Sequence, residues 1–596
     1  MSGWLASAWA RTFVAGLAHA GVRLAVVSPG SRSTPLVLAL LEHGGIEVRV
    51  VLDERAAGFL AVGWAKVTGA PAALVCTSGS AGAHYLPALV EARHAGTPVV
   101  AVTADRPPEE RGCGASQTID QLGLFGAQVV AWHDLGPPER SAVALASAHT
   151  VAVRAVCDAL TFAGPVHVNA PFRKPLEPAE PTREERALLP WVERIVARPP
   201  APGATGERRL APDALAAVAD ALARAERPLV VAGPLAPALA PSGRALHRLL
   251  EAADASVYAE TASQLRHVPE RAAAPSRWLD DLGAVLEAAP PRDQLPDVVL
   301  QLGPMPVGAA WERCFSAEEL VRFVIAPAGW HDPTHAATAH FRADLEPALV
   351  ALADRLSDAA RARRIEAASP RPGLTDLAAA GRAARDGVAL GAAAGLGEGA
   401  AVRAVAASLR DGELLVVGNG LPIRELDRYA AGRALGLVVV SQRGAAGIDG
   451  LVAGGVGAAL AARRPGTLLI GDLALLHDLG SLGLLASTGV PLRVVVIDNG
   501  GGRIFEELPV ADHPRTRPHL AAWTTPHGLD LADAGRLARL PTRVAASEAA
   551  LADALAPPPA APELLVVRVD PTSAARDHRA LQAAVAHQLA SPRSST

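Results

Sequence analysis

The chain has 596 residues, half of them hydrophobic, and a formal charge of only −4. At roughly 100–200 residues per domain, this length predicts about three or four domains with large cores. No basic tract interrupts the near-neutral balance, which argues against nucleic acid as a partner.

Lysine occurs only at Lys66 and Lys174, and Arg supplies the remaining positive charge, a compositional bias without functional weight. The cysteines, Cys76, Cys113, Cys157 and Cys314, are scattered and form no C-x-x-C pair. This argues against a disulfide framework or a zinc site and fits the reduced thiols of a cytoplasmic protein. The start, Met1-Ser-Gly-Trp-Leu-Ala, lacks the basic and apolar regions of a signal peptide. The longest apolar stretch, Leu451 to Ala462, is Gly-rich and shorter than the roughly 20 residues of a bilayer span, so no stable membrane insertion is expected.

Short β-branched runs alternate with Ala/Leu-rich helical stretches from the beginning of the chain. The runs at 24–28, 48–52, 73–77 and 98–103 read as strands, and Ala56 to Thr68 as a helix. A Pro-rich stretch over 189–211 reads as a linker. Strands at 228–233, 297–303 and 322–326 belong to a middle domain, followed by a second linker over 367–395. After it come strands at 413–418, 436–441, 467–471 and 492–497. The expected architecture is α/β, with three successive domains of parallel sheets flanked by helices: residues 1–188, 212–366 and 396–596. In such sheets ligands bind beyond the carboxyl ends of the strands, so the residues after each strand are the place to look for function.

Two strand ends carry hard oxygen ligands. Thr467-Leu-Leu-Ile-Gly471-Asp472 ends in an acid, and Arg493-Val-Val-Val-Ile-Asp498-Asn499-Gly-Gly501-Gly ends in Asp-Asn and glycines. A strand–helix–strand crossover fits between them, which would set the two ends side by side. A carboxylate from Asp472, an amide oxygen from Asn499 and a backbone carbonyl from Gly501 suit Mg²⁺ (or Mn²⁺) shared with a diphosphate, and glycines let backbone approach the anion. Asp, Asn and Gly are also ordinary turn residues, which is the plain alternative for either half alone. Together, spacing and order resemble the metal motif of thiamine-diphosphate enzymes, although that motif starts Gly-Asp-Gly and ends Asn-Asn. Thiamine diphosphate requires a Glu that exchanges a proton with its aminopyrimidine ring. Glu54, after the 48–52 strand, is the candidate; otherwise it is simply an acid favoured by a helix N-terminus.

Further segments narrow the resemblance. Ser28-Pro-Gly-Ser31-Arg32-Ser-Thr-Pro35, Asp53-Glu-Arg55, Thr77-Ser-Gly-Ser80, Thr103-Ala-Asp-Arg106-Pro-Pro, Ser441-Gln-Arg443-Gly-Ala-Ala-Gly-Ile448-Asp-Gly, Gly471-Asp-Leu473 and Gly500-Gly-Gly-Arg-Ile504-Phe505 resemble, in order, the 2-succinyl-5-enolpyruvyl-6-hydroxy-3-cyclohexene-1-carboxylate synthase family. They cover the first and third domains, and the middle domain matches mainly at Gly303-Pro-Met-Pro306. Gly-Asp-Leu, anomalous for thiamine enzymes generally, is similar to this family's own version. The resemblance implies decarboxylation of 2-oxoglutarate and 1,4-addition of the succinyl carbanion to isochorismate, with release of CO₂, in menaquinone biosynthesis. It also implies Ser31, Arg32, Arg106, Ser116, Arg424 and Arg443 as substrate ligands. Arg is expected where anionic substrates are gripped, because its guanidinium binds carboxylates bidentately and stays charged.

By the same resemblance Gln117 orients a substrate or a proton-carrying water, Ile448 wedges the cofactor into a bent form, and Ile504, Phe505 and Leu508 form an apolar wall. Gly420, in Val417-Gly-Asn-Gly420-Leu-Pro-Ile-Arg424, joins the cofactor site. A homodimer or homotetramer is implied, with each active site between chains. Ser116 stands where the family often has Asn. Val307-Gly308-Ala309 replaces a more basic pattern, and Arg313 is not assigned to it.

Three readings compete. One is another thiamine enzyme, such as a simple 2-oxoacid decarboxylase or acetohydroxyacid synthase, against which the Arg set argues. Another is a nucleotide-binding protein, but the glycine-rich Gly391–Gly399 follows no strand, has the wrong spacing and reads as linker or helix entry. A catalytically dead paralogue is opposed by the presence of Glu54, Asp472 and Asn499.

Overall fold

Every β-branched run picked out above is a strand in the computed structural model, which describes residues 2–199, 206–363, 373–390 and 395–590. The strands form three sheets, all paired in parallel. The first contains Leu24–Val27 (β1), Glu47–Val50 (β2), Ala72–Cys76 (β3), Val99–Asp105 (β4), Ala131–Asp134 (β5) and Pro165–Pro171 (β6), in the order β2-β1-β3-β4-β6-β5. The second contains Pro228–Ala232 (β7), Ser256–Ala259 (β8), Val298–Leu302 (β9), Val321–Ala326 (β10) and Ala339–Arg342 (β11), in the order β11-β10-β9-β7-β8. The third contains Leu414–Val417 (β12), Val438–Ser441 (β13), Gly466–Gly471 (β14), Leu492–Asp498 (β15), Thr542–Ala545 (β16) and Glu563–Arg568 (β17). Its order, β13-β12-β14-β15-β17-β16, repeats that of the first sheet. In both, the chain first winds to one side and then reverses. The reversal leaves a crevice between β1 and β3, and another between β12 and β14, the usual ligand position in open α/β sheets.

The interior strands are buried on both faces, as parallel sheets covered by helices require. The chain forms two compact units. One comprises Met1–Gly206, Gln442–Arg463 and Asp478–Thr488 and holds the first sheet. The other comprises Glu207–Ser441, Arg464–His477 and Gly489–Thr596 and holds the second and third sheets.

Helices also occupy parts of the two stretches read as linkers. Leu189–Val196 carries Pro at its start and buries Val192 and Ile195, and Leu374–Gly387 buries Leu377 and Ala378. Residues 200–205, 364–372 and 391–394, which include the Pro-rich cores of those stretches, lie outside the described residues. Of the Gly391–Gly399 segment, the described part, from Gly395, leads to the helix Glu398–Ser408, which Gly397 precedes. One helix, Ala142–Thr161, has the length and apolar composition of a membrane span. It buries Leu145, Ala148, Ala152, Ala155 and Val156 and packs against β5, β6 and the helix Gly3–His19, the position of a sheet-covering helix.

The helix after β2 shows how sequence sets a site. Asp53 caps it, its Oδ1 accepting from the Arg55 N–H at 2.9 Å, so the helix begins at Glu54, two residues before the expected start. It ends at Gly69, whose φ of 70° suits a left-handed cap. In the same unit it packs on the helix Leu451–Ala462 through glycines. A Cβ on Gly63 would overlap the Gly454 carbonyl, and one on Gly457 the Leu60 carbonyl. Close backbone approach therefore requires glycine at both positions.

Candidate active site

In the first unit, the loops after β1, β3 and β4 meet at the crevice. Arg32, 4% exposed, donates from its backbone N–H to Thr77 Oγ1 at 3.2 Å and from Nη1 to the Phe172 carbonyl at 2.6 Å. Arg106 donates to Glu110 Oε2 at 2.9 Å and to the Ser116 carbonyl at 2.8 Å. Glu110 also lies 3.8 Å from Arg32. Burial, and then the Arg106 charge, pull the Arg32 guanidinium below the ordinary arginine range, with Glu110 and Asp105 opposing. The two cations share one carboxylate, which an anionic ligand would have to displace to reach both.

Gln117 is exposed and sits in the left-handed region at φ 54°. Its Nε2 donates to the Ser78 carbonyl at 3.0 Å, and its own carbonyl accepts from Ser78 Oγ at 3.1 Å. A non-glycine residue held there is strained, and its neighbours hold it. Gln121, buried below, accepts from the Gly79 N–H at 3.0 Å and donates to Asn169 and Ala104. Ser31 is exposed at the turn before Arg32. The sequence candidates Arg32, Arg106, Ser116 and Gln117 are thus brought together.

Glu54 is half-buried at the first position of its helix. Its charge is close enough to add to the burial that raises the Cys76 and Tyr85 groups. The segment bearing Arg443 and Ile448 is tied to the same unit by Glu91. That carboxylate accepts from the Gly444 N–H at 3.0 Å, the Ala445 N–H at 2.7 Å and Lys66 Nζ at 2.6 Å. Ile448 is 39% exposed, and two residues later Gly450, at φ 62°, packs on Phe59 with no room for a Cβ.

In the second unit, β14 and β15 pair so that Gly471 stands opposite Ile497, which sets Asp472 beside the 498–501 turn as their spacing predicts. Asp472 is 2% exposed. Its Oδ1 accepts from the Leu473 N–H at 2.6 Å and its Oδ2 from the Gly501 N–H at 2.7 Å. Asn499 is also buried. Its Nδ2 donates to Glu398 Oε2 at 2.9 Å, while its Oδ1 is buried without a hydrogen-bond partner. Gly501, at φ 143°, approaches the Thr524 carbonyl too closely to carry a Cβ. Its own carbonyl accepts from the Arg503 N–H at 2.9 Å, which leaves one lone pair.

This arrangement fits a hard divalent cation. A buried amide oxygen without a donor costs about 1–3 kcal/mol unless something fills its lone pair, and carboxylate, amide oxygen and carbonyl are the donors Mg²⁺ takes.

Asp498 and His527, not among the sequence candidates for ligands, stand close by. His527 Nε2 lies 3.2 Å from Asp472 Oδ2 and 3.8 Å from Asp498 Oδ1, so the three side chains also form a compact metal-ligand group. Burial, and then the Asp472 charge, raise the Asp498 carboxyl. Glu398, fully buried, is pushed up to about 7 by burial, with Asp472 and Glu507 adding and the Asn499 hydrogen bond opposing. Glu425 beside it is also buried, and burial, and then the Glu398 charge, raise its carboxyl well above the ordinary range. No local pattern marked these residues; Glu398 and Asn499 are 101 positions apart.

Gly420, at φ 90°, follows β12 and starts the helix Leu421–Tyr429. Arg424 Nη1 donates to the Gly420 carbonyl at 2.6 Å. One turn later Arg428 donates to Glu507 at 2.9 Å, which joins this helix to the turn Arg503–Glu507 bearing Ile504 and Phe505. Leu508 follows, 44% exposed. Beside them a pocket is lined by Arg424, Arg428, Tyr258, Trp311, Glu287 and Val307.

Residues 8–124 match the family described as thiamine pyrophosphate enzyme, N-terminal TPP binding domain. The chain is 43% identical to the 2-succinyl-5-enolpyruvyl-6-hydroxy-3-cyclohexene-1-carboxylate synthase of Sorangium cellulosum, over 93% of this chain and 90% of that protein. It is 39% identical to the Halobacterium salinarum protein of the same name, over 88% of each. With relatives this similar along nearly the whole length, and with a parallel α/β fold and strand-end acid–amide pair to match, the chain belongs to the thiamine-diphosphate-dependent 2-succinyl-5-enolpyruvyl-6-hydroxy-3-cyclohexene-1-carboxylate synthase family.

Proposed function

We propose that the chain decarboxylates 2-oxoglutarate and joins the remaining four-carbon unit to isochorismate by 1,4-addition, releasing CO₂ and forming the product for which its relatives are named, a step of menaquinone biosynthesis. The reading rests on the 43% identity to the Sorangium cellulosum synthase over 93% of the chain. Thiamine diphosphate, when bound, supplies the electron sink for loss of CO₂ and the nucleophilic carbon for the new bond.

The chain's residues have the remaining roles. Asp472, Asn499 Oδ1 and the Gly501 carbonyl would hold Mg²⁺ or Mn²⁺ and through it the diphosphate, and Gly420 gives that group backbone room. Glu54, at the first position of its helix, would exchange a proton with the pyrimidine ring. Ile448 would pack against the cofactor. Arg32, Arg106, Arg424 and Arg443 grip the substrates' carboxylates, which neutral side chains could not do at comparable strength. Ser31 and Ser116 add hydrogen bonds, and Gln117 orients a substrate or a proton-carrying water. Ile504, Phe505 and Leu508 exclude water.

The active form is a homo-oligomer in which each site draws on two protomers. Val50 and Leu52, just before Glu54, are 65% and 84% exposed, an apolar surface that a partner would cover. Four free cysteines suit a reducing compartment, the cytoplasm. The domain limits proposed are 1–188, 212–366 and 396–596.

Purified protein incubated with thiamine diphosphate, Mg²⁺ and 2-oxoglutarate, with and without isochorismate, tests the reading by mass spectrometry. The coupled adduct and CO₂ are expected; absence of both refutes the substrate assignment.

A further inference from the structure

We infer that Glu398 is a positioning residue for the metal centre, its carboxyl deciding which head of the Asn499 amide is left for the ion. The inference rests on the metal site proposed above. An asparagine amide is nearly symmetrical in shape, and its two heads are opposite in chemistry: the oxygen accepts and can bind a cation, while the NH₂ donates and cannot. A β15 end that merely delivers Asn499 therefore delivers a ligand in one rotamer and a repulsive group in the other.

The structure supplies an arbiter. Glu398 Oε2 lies 2.9 Å from Asn499 Nδ2. Glu398 presents Oε2 as an acceptor, so the amide turns its donor head toward it, and Oδ1 is then the buried atom without a partner.

Glu398 is itself held. It opens the helix Glu398–Ser408, and its backbone N–H donates to Ser573 Oγ at 2.9 Å. Ser573 Oγ donates to the Asp570 carbonyl at 2.7 Å, and the Asp570 N–H to the Leu396 carbonyl at 2.9 Å. The carboxyl therefore enters from a fixed backbone, stitched at two points to the 570–573 turn. Groups that orient metal ligands in this way typically change metal affinity about 10–100-fold when removed.

The test is calorimetric titration of Mn²⁺ into the full-length protein saturated with thiamine diphosphate, with thermal melts as a check on folding. Glu398→Ala and the apolar near-isostere Glu398→Leu should each weaken Mn²⁺ binding about 10–100-fold. Glu398→Gln, which can rotate an acceptor oxygen toward Nδ2, should remain within a few-fold of the parent. That rescue separates amide orientation from packing; if Glu398→Ala fails to fold, the Leu and Gln variants still decide. Unchanged Mn²⁺ affinity in the Ala or Leu variant would overturn the inference, as would equal weakening in Leu and Gln. If the parent protein binds no Mn²⁺ with thiamine diphosphate, the functional reading fails instead.

Discussion

Removing the Glu91 carboxylate should both destabilise the first unit and release the loop that carries Arg443. Lys66 and Glu91 side chains are each 3% exposed and paired at 2.6 Å. Truncating Glu91 to Ala leaves an ammonium buried without its counter-charge, a change that costs about 3–5 kcal/mol. For a cooperative unit of roughly 150–250 residues, that corresponds to a fall of about 6–20 °C in melting temperature. The Gly444 and Ala445 N–H groups lose their acceptor at the same time.

A Lys66→Met/Glu91→Leu double variant separates the two effects. Exchanging a buried ion pair for apolar groups of similar volume is often nearly neutral, so most of the melting temperature should return. The loop's anchors remain absent, so a raised KM for substrate and faster hydrogen exchange at residues 443–450 should persist. A Glu91→Ala melting temperature within a degree or two of the parent would refute the reasoning, and so would full recovery of KM in the double variant. The pH dependence follows the same pair. Burial raises the Glu91 carboxyl, but Lys66 and the two N–H groups outweigh it and hold the group below its ordinary value. A depressed carboxyl contributes stability above its unfolded pKa, about 4.3. That contribution should disappear as pH falls below this value and through the folded pKa.

Glu54→Gln should abolish turnover while leaving thiamine diphosphate and Mg²⁺ binding largely intact by calorimetry; near-normal turnover would remove Glu54 from cofactor activation. Asp472→Ala should weaken both ligands together, and unchanged affinity for either would remove it from the metal site. Mixing inactive Glu54→Gln and Asp472→Ala proteins through a dissociation–reassociation cycle should restore about a quarter of parental activity, because half the random dimers are mixed and each holds one intact site. No recovery, with mixed dimers demonstrated by mass, would mean that each site is built within one chain.

The strands were legible where burial writes itself as an apolar run. β3, β9, β12 and β15 are such runs and are expected as strands, whereas β17 and β8, also largely buried, are not among the expected ones. Edge strands were harder: β5, β11 and β16 are short and half exposed, and polar or charged residues interrupt each (His133 and Asp134, His340 and Arg342, Thr542 and Arg543), so no continuous apolar run marks them. β6 was obscured for another reason. It is fully buried, yet it carries His167 and Asn169: His167 Nε2 bonds Thr103, and Asn169 bonds Asp105 and Gln121. A buried polar network looks like a loop when only hydrophobicity is read, because its partners are distant in sequence.

The same distinction divides the candidate site. Arg106, Asp472 and Asn499 follow strands directly and Arg32 lies in the loop after β1, so knowing the strands locates them. Glu398, Glu91 and His527 act through residues far along the chain, and nothing local distinguishes them from helix-start or surface acids and loop histidines. Yet these distant residues remove choices that the motif leaves open. Spacing delivers an amide to the end of β15 but is silent on its rotamer, and it delivers an arginine loop after β13 but does not say what fixes it. A buried acid settles each case in the same way, by presenting an acceptor oxygen at a fixed place. Glu91 thereby holds two backbone N–H groups of the arginine loop, and Glu398 turns an amide so that its oxygen remains for a cation. The motif sets which chemical groups arrive at the site, and the buried acids set which way those groups face.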